Sequence, residues 1–343
     1  MPVKVFPVHE FLELQASMPC VDTRSEAEFA HAHLPQSQNI ALLNNDERAI
    51  VGTTYKQNGN EAAVLKGYEL VGGEFADYIR QAKKLAPEKK IAVYCWRGGM
   101  RSNIMAQLFS NAGFEVSLLI GGYKAFRNFV LDTLKEPRNI WIVGGKTGSN
   151  KTTILNLLKE YGAQSIDLEG LANHKGSAFG ALGMPPQPSS EMMENMLALQ
   201  WKNMNPELPL FLENESSKIG SVKINDDITN MMRLAKTITI EKSVEQRMQS
   251  IMHEYGNFPS EDLIACTMKL KKRLGGLRMQ QAIDFLNENK KTEWLQILLD
   301  YYDGGYTHSN DRRTPQANLT INGIGVSNEQ IAKNIIEAVK NIS

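Results

Sequence analysis

The stretch from Ile91 to Ser102 constrains the fold more than any other part of the sequence. Its first part, Ile91–Tyr94, is an apolar run that predicts a buried strand. A cysteine follows the strand, and a turn rich in glycine and arginine leads to a serine suited to cap the next helix. These residues are Cys95, Trp96, Arg97, Gly98, Gly99, Met100, Arg101 and Ser102. Such a strand, loop and helix gather backbone N–H groups and the positive end of a helix into one anion-binding cup.

The cup is expected to make the cysteine a nucleophile. Amide donors, the helix end and the charges of Arg97 and Arg101 all favour the thiolate form of Cys95 over the thiol. The same donors would hold a tetrahedral oxyanion above the sulfur. The alternative is a buried strand cysteine followed by an ordinary turn, which the two glycines and two arginines disfavour.

Two kinds of enzyme use a loop of this spacing. Protein phosphatases have a cysteine, five residues and then Arg-Ser or Arg-Thr, and rhodanese-type sulfurtransferases carry a persulfide on a similar loop. The segments Val21–Arg24 and His33–Pro35 resemble the rhodanese signature, in which a strand ends in Asp-x-Arg and a Leu-Pro turn follows a helix. Tyr94 also stands where phosphatases often have histidine. We therefore predict a rhodanese-like parallel-sheet domain whose longer loop suits a phosphate-sized anion.

A second phosphate-binding pattern follows the predicted strand Ile140–Val143. Its residues are Gly145, Lys146, Thr147, Gly148, Ser149, Asn150, Lys151 and Thr152. A strand before and a helix after are the context that a P-loop requires. The pattern departs at Asn150, where glycine is usual, but asparagine also tolerates a left-handed backbone. Backbone N–H groups would cradle a diphosphate, Lys151 would neutralise it, and Thr152 would face Mg²⁺ if one is used.

These two motifs divide the 343-residue chain into two predicted α/β domains, residues 1–136 and 137–343. The first is the rhodanese-like domain, and its segment Asn44–Gly59 reads as a long polar loop, either a surface excursion or a functional insertion. The second is a P-loop α/β domain that becomes largely helical after Glu241. A polar linker, Lys135–Asn139, joins them.

Further polar residues of the second domain are candidates for the diphosphate site. Asp167, Glu169 and Glu213 follow predicted strands, and ligands bind at the carboxyl ends of parallel strands. Asp167 or Glu213 could hold a metal, or all three could be solvated strand-end acids. Between them, His174, Lys175 and Ser177 lie in a glycine-containing loop that favours ligand contact.

The chain has 38 basic and 38 acidic residues, so any nucleic-acid binding must come from a local patch. The densest basic cluster comprises Lys269, Lys271, Lys272, Arg273 and Arg278, and it is either a phosphate-backbone contact or a solvated helix face. Arg312 and Arg313 form a smaller basic point. The three cysteines show no pairing pattern and no apolar run is long enough to span a membrane, which predicts a reduced, cytoplasmic protein without membrane contact.

The motifs occur in an order that resembles the tRNA 2-selenouridine synthase family over nearly the whole chain. The matching segments are Asn44–Arg48, Val51–Lys56, Cys95–Ser102, Gly121–Ala125, Gly144–Thr152, Asp167–Ala172 and His174–Gly180. The resemblance implies an enzyme that acts on wobble 2-thiouridine of tRNA. It would first transfer a geranyl group from geranyl diphosphate to the sulfur, then replace the S-geranyl group with selenium from selenophosphate.

Matching this chemistry to the predicted sites gives each of them an expected role, which is our inference and not part of the resemblance. Cys95 could carry selenium as a selenosulfide, the P-loop would bind geranyl diphosphate, and the basic cluster would bind tRNA. We expect no tightly bound cofactor, only the two co-substrates selenophosphate and geranyl diphosphate. Mg²⁺ is a candidate ion, and an enzyme that supplies selenophosphate is a candidate partner. Two alternatives stay open at this point. One is a thiosulfate sulfurtransferase or Cys-dependent phosphatase with a nucleotide-binding regulatory domain, and the other is an RNA-binding module, against which the intact cysteine loop speaks.

Overall fold

The computed structural model describes residues 2–309 and 318–342. The chain forms two compact units. The first comprises the chain up to Thr133 together with Glu194–Leu199, and the second comprises Leu134–Met193 and the chain from Gln200 onward. Among the described residues, no helix has both the length and the apolar character that crossing a membrane requires.

The first unit is built on a five-stranded parallel sheet with the strand order β1-β5-β4-β2-β3. Its elements are β1 (Lys4–Phe6), α1 (Val8–Gln15), β2 (Cys20–Asp22), α2 (Glu26–His31), β3 (Gln38–Asn39), α3 (Asn45–Val71), α4 (Phe75–Leu85), β4 (Lys90–Tyr94), α5 (Met100–Asn111), β5 (Glu115–Leu119) and α6 (Gly122–Thr133). The central strand β4 is buried from Ile91 to Tyr94, because helices cover both faces of a parallel sheet. The cysteine loop therefore leaves the carboxyl end of a rigid strand.

The segment Asn44–Gly59 is helical, so the prediction of a long polar loop was wrong. Asn44 caps α3 in a reciprocal arrangement with Glu47, and the helix is interrupted at Gly59, where φ is 86°. Few side chains of this helix are buried, and a helix exposed on most sides has no apolar period to reveal it. The capping pattern was the signal in the sequence.

The second unit has its own five-stranded parallel sheet with the order β12-β11-β6-β8-β7 and a small antiparallel pair, β9 with β10. Its elements are β6 (Asn139–Gly145), α7 (Lys151–Glu160), β7 (Gln164–Ile166), α8 (Leu168–Leu171), α9 (Ser190–Lys202, shared with the first unit), β8 (Pro209–Glu213), β9 (Lys218–Ile219), β10 (Val222–Lys223), α10 (Asp226–Leu234), β11 (Lys236–Glu241), α11 (Val244–Tyr255), α12 (Ser260–Met268), α13 (Lys271–Leu274), α14 (Gly276–Asn287), α15 (Lys291–Ser309), β12 (Asn318–Asn322) and α16 (Asn328–Lys340). The predicted division at residues 136 and 137 falls between α6 and β6.

Two apolar cores stabilise the second unit. One joins the sheet to α7 and α16 through residues such as Trp141, Ile154 and Ile335. The other lies among the helices after β11 and includes Leu263 and Trp294. The helical part predicted after Glu241 is thus a packed layer with its own core, and the chain then returns to the sheet as β12.

Candidate functional site

Cys95 directly follows β4, and its side chain is only 3% exposed. The Ser102 hydroxyl donates to the Cys95 Sγ at 3.1 Å and also lies 3.1 Å from the Gly99 carbonyl oxygen. Ser102 was expected to cap α5, which was wrong, because Gly99 is the capping residue and Ser102 lies inside the helix. The serine hydroxyl instead contacts the Cys95 sulfur.

The cysteine loop is locked to the turn that begins α6. Tyr123 N–H donates to the Cys95 carbonyl oxygen at 2.8 Å, and Lys124 N–H donates to the Trp96 carbonyl oxygen at 2.9 Å. Gly122 has φ 58°, and a Cβ there would overlap the Cys95 carbonyl oxygen. The Gly-Gly-Tyr-Lys motif is therefore the support of the loop, and glycine is required at its second position.

The loop has the unpaired donors of an anion cup. Within the described part of the chain, the backbone N–H groups of residues 96–99 donate to no protein acceptor. Gly98 has φ 63°, which a loop that turns its amides to one side requires. The side chains of Trp96, Arg97 and Met100 are exposed. The predicted cup is consistent with this geometry.

The two predicted arginine charges have different surroundings. Arg97 is exposed, whereas Arg101 Nη1 lies 2.6 Å from the Glu28 Oε2. Burial alone would raise the pKa of Glu28, but the hydrogen bond and charge of Arg101 outweigh it, and the pKa of Glu28 is lowered. Arg101 thus ties α5 to α2, and its charge is shared with a carboxylate.

A buried ion pair flanks the loop. Arg24 Nη2 lies 2.6 Å from the Asp22 Oδ2, and neither side chain is more than 1% exposed. The Arg24 guanidinium also lies 4.0 Å from the centre of the Tyr123 ring. The Asp-x-Arg signature therefore fixes the end of β2 against the support of the cysteine loop.

The second motif has P-loop geometry. Gly148 and Asn150 have φ 84° and 62°, and Asn150, with ψ 37°, begins α7 in the left-handed region. The expectation that asparagine preserves the turn is confirmed. Lys151 Nζ lies 3.3 Å from the Gly145 carbonyl oxygen. Among the described residues, the N–H groups of residues 146–148 have no protein acceptor, as expected of a diphosphate cradle.

Three glutamates meet beside the P-loop. Carboxylate oxygens of Glu169, Glu213 and Glu215 lie within 4.8 Å of one another, and the Thr152 hydroxyl donates to Glu213 at 2.5 Å. Burial, followed by the charge of a neighbouring glutamate, raises the pKa of Glu169 and Glu213 to about 8 and that of Glu215 to about 7. Glu213 Oε2 is buried without a hydrogen-bond partner among the described residues. Carboxylate and hydroxyl oxygens fit a hard divalent cation.

This trio differs from the acids that the sequence singled out. Asp167 is not a member, because its Oδ1 accepts from the Gly170 N–H at 2.7 Å and caps α8. Glu215 is a member, although it was not chosen as a site residue. The signal for it was the alternation Glu213-Asn214-Glu215 at the end of β8.

The residues of the predicted substrate loop do not all lie at the same site. Lys175 and Ser177 line a cleft next to the P-loop, and Lys175 Nζ lies 2.6 Å from the Glu254 Oε1. His174 does not line that cleft. Its ring is 9% exposed, occupies the space that the missing side chains of Gly180 and Gly220 leave, and has a pKa lowered mainly by burial. His174 therefore has a packing role in this structure.

The cleft has a volume of about 650 Å³ and two chemically different ends. The polar end is formed by residues of the P-loop, by Glu169 and Glu215 of the acidic trio, and by Asp167 and Lys175. The apolar end is formed by large side chains from the loop before α9, from α11 and from α15. These are Phe179, Met184, Ile251, Tyr255, Trp294, Leu295, Leu298, Leu299 and Tyr302. An amphiphilic molecule with an anionic head matches this division.

A buried arginine that the sequence analysis missed joins the P-loop to α15. Arg247, 2% exposed, donates to both Asp303 carboxylate oxygens at 2.9 and 2.7 Å and to the Thr147 carbonyl oxygen at 3.2 Å. Lys146 Nζ lies 3.4 Å from Asp303. The partners are far apart in sequence, so no local pattern reveals them.

The predicted basic cluster lies on α13 and α14, with Lys269 directly after the end of α12. All five side chains, those of Lys269, Lys271, Lys272, Arg273 and Arg278, are exposed, and none forms an ion pair within residues 2–309 and 318–342. The charge of Arg273 acts on Tyr302, which lines the cleft. Arg312 and Arg313 lie outside the described residues.

The folds and motifs define a two-domain protein with a cysteine loop on a rhodanese-type sheet and a P-loop in a second unit. The family model of the Rhodanese-like domain matches residues 8–129, and that of the tRNA 2-selenouridine synthase AAA domain matches residues 138–327. The chain belongs to the tRNA 2-selenouridine synthase family. The predicted fold class and family are thereby confirmed.

Relatives named tRNA 2-selenouridine synthase match almost the whole chain. The protein from Shewanella denitrificans is 35% identical, with 90% of this chain and 93% of the relative covered. The protein from Nitrosomonas eutropha is 32% identical, with 87% and 90% covered. Among solved structures, the N-terminal domain of an ATP/GTP binding protein from Clostridium difficile 630 is 40% identical, covers 37% of this chain and 99% of its own, and has a TM-score of 0.36.

Proposed function

We propose that this chain converts wobble 2-thiouridine of tRNA to 2-selenouridine through S-geranyl-2-thiouridine. Geranyl diphosphate and selenophosphate would be its co-substrates, with no tightly bound cofactor. The observation that carries the proposal is that one chain combines a cysteine loop with unpaired N–H groups and a P-loop cleft with an apolar end. A relative that aligns with 90% of this chain is named tRNA 2-selenouridine synthase.

The P-loop unit is assigned to geranyl transfer. The sulfur of 2-thiouridine attacks C1 of geranyl diphosphate, so that an S–C bond forms while the C1–O bond breaks. The diphosphate leaves with the bonding electron pair, and the N3 proton of the base passes to solvent. Lys151 and the N–H groups of residues 146–148 would stabilise the charge that develops on the leaving diphosphate.

A divalent cation fits the same end of the cleft. Thr152, Glu169, Glu213 and Glu215 would hold Mg²⁺, and the unpartnered Glu213 Oε2 supports this assignment. The ion would supply further charge neutralisation of the diphosphate when bound. In its absence the raised pKa values of the three carboxyls keep much of the trio protonated near neutral pH.

The cysteine loop is assigned to selenophosphate. In the overall exchange a C2–Se bond forms, the C2–S bond breaks, and geranyl thiol leaves, while water cleaves the P–Se bond to give phosphate. The N–H groups of residues 96–99 would hold the phosphate group of the donor next to the Cys95 sulfur. The Ser102 hydroxyl donates to the same sulfur at 3.1 Å and fixes its position beside the loop.

The basic cluster that begins after α12 and continues on α13 and α14 is assigned to tRNA. Five exposed cations without ion-pair partners in the described part of the chain can neutralise backbone phosphates, and the chain has no net charge that would otherwise attract RNA. A cytoplasmic location and an enzyme that hands over selenophosphate belong to the same proposal.

Nucleoside mass spectrometry tests the function. Purified protein is incubated with tRNA that carries 2-thiouridine, first with geranyl diphosphate and then with selenophosphate. We expect S-geranyl-2-thiouridine after the first addition and 2-selenouridine after the second. Conversion with selenophosphate alone would remove the geranyl step, and thiosulfate sulfurtransferase activity without any change in tRNA would reject the proposal.

A further inference from the structure

The apolar end of the cleft runs along one face of α15. Trp294, Leu295, Leu298, Leu299 and Tyr302 recur at the helical spacing of three and four residues, so they form one face of α15, and all five line the cleft. Phe179 closes the same region, with its ring centre 5.6 Å from that of Trp294. The wall is therefore continuous along the helix.

The salt bridge at Asp303 places one end of this wall at the P-loop. Asp303 bonds to Arg247, which in turn bonds to the Thr147 carbonyl oxygen. Leu298 precedes Asp303 by five residues and Leu295 by eight, and the helix rises 1.5 Å per residue. Leu298 therefore lies roughly 7–8 Å and Leu295 roughly 12 Å from Asp303 along the helix axis.

Those positions match the length of a short isoprenoid. The eight in-line carbons of a geranyl chain, with bonds of about 1.5 Å, span roughly 9–10 Å, and a farnesyl chain spans roughly 14–15 Å. A geranyl chain with its head at the P-loop would pass Leu298 and end near Leu295. A farnesyl chain would run into the side chains of Leu295 and Trp294.

We infer that the face of α15 from Trp294 to Tyr302 is a chain-length ruler for the allylic diphosphate, with Leu295 at its far end and Leu298 along its middle. The inference rests on the proposed geranyl transfer and adds the residues that select the donor. Neither leucine touches a reacting atom, since each acts only by limiting the space for the chain.

Competition among three donors tests the ruler. Wild-type protein, Leu295→Ala and Leu298→Phe are given dimethylallyl, geranyl and farnesyl diphosphate with 2-thiouridine tRNA, and kcat/KM is measured for each. We expect the wild type to prefer geranyl diphosphate. Leu295→Ala should raise the farnesyl-to-geranyl ratio at least about 10-fold, and Leu298→Phe should raise the dimethylallyl-to-geranyl ratio by a similar factor.

The two variants should shift the donor preference in opposite directions, which distinguishes selection of chain length from a loss of stability. A variant that is only less stable would lose activity with all three donors alike, and Leu234→Ala, which removes a leucine that is 66% exposed, should keep the wild-type ratios. Unchanged ratios in both ruler variants would overturn the inference while leaving geranyl transfer intact. Failure of the wild type with every donor would instead reject the proposed function itself. Inhibition by ATP that Leu298→Phe relieves, with unchanged donor ratios, would assign the apolar end to a nucleotide base.

Discussion

The acidic trio makes the stability of the second unit depend on pH, and Glu213→Gln should remove a large part of that dependence. Glu213 is fully buried, and burial, followed by the charge of Glu169, raises its pKa from the usual 4.5 to about 8. A raised pKa means that the folded state binds the proton more tightly than the unfolded state. The stability that the protonated carboxyl contributes is complete below pH 4.5 and is lost as the pH rises through about 8.

The magnitude follows from that pKa. Moving it from 4.5 to about 8 corresponds to about 5 kcal/mol lost across this range. Glu169 and Glu215 ionise over the same pH range and share the repulsion with Glu213. We therefore expect Glu213→Gln to have a free energy of unfolding about 2–3 kcal/mol above that of the wild type at pH 8.5, and almost the same value at pH 5. For a unit of this size, that is a rise in Tm of about 5–10 °C at pH 8.5.

Thermal unfolding with a chelator present measures the effect. Tryptophan fluorescence reports mainly on the second unit, because three of the four tryptophans, Trp141, Trp201 and Trp294, lie in it. The exposed Glu207→Gln is the matched control and should follow the wild type at every pH. Mg²⁺ at pH 8.5 should raise the Tm of the wild type more than that of Glu213→Gln. Parallel curves for wild type and Glu213→Gln from pH 5 to 9 would refute the reasoning.

Four further variants test the other sites. Cys95→Ser should abolish selenium incorporation while geranylation persists, as followed by nucleoside mass spectrometry; full selenation would remove Cys95 from the reaction. Lys151→Ala should weaken geranyl diphosphate binding by roughly 1.5–3 kcal/mol in calorimetry, since alanine cannot form the charge-assisted hydrogen bond, and unchanged binding would argue against a diphosphate at the P-loop. Replacing Lys271 and Lys272 together with alanine should lower the slope of log K for tRNA against log salt by about one for each phosphate that the variant no longer neutralises, whereas a wild-type slope would mean a solvated helix face. Gly122→Ala should cost about 1–3 kcal/mol of stability in denaturant unfolding of the first unit, and a neutral result would contradict the tight packing against Cys95.

How much the sequence predicts depends on whether the interacting residues are neighbours in the chain. The Cys95 loop and the P-loop are short contiguous motifs between a strand and a helix, so their place in the fold followed from local patterns, including the left-handed Asn150. Ser102 was assigned to the wrong role because capping and thiol contact need the same residue type at nearly the same position.

The features that sequence reasoning missed are non-local. Arg247 meets Asp303 only because α11 packs against α15, and nothing near either residue marks the pair. Of the trio, the sequence indicated Glu169 and Glu213 but not Glu215, and the three meet because β8 lies beside β6, which brings Glu213 to Thr152. The sequence could not reveal that the apolar face of α15 lines a cleft, since a face that lines a cleft and a face that fills a core have the same period, and the residues of this face do both.

The interlock between the Cys95 loop and Gly122 has a consequence for protein engineering. A Cβ at Gly98 would meet the Leu119 carbonyl oxygen at 2.8 Å, and a Cβ at Gly122 would overlap the Cys95 carbonyl oxygen, so each segment occupies the space that the other leaves open. Transplanting residues 95–102 alone into another parallel-sheet scaffold would carry over the nucleophile without the surface that shapes it. A functional graft has to move the loop and the turn before α6 as one piece, and sequence libraries that vary the loop should vary that turn in parallel.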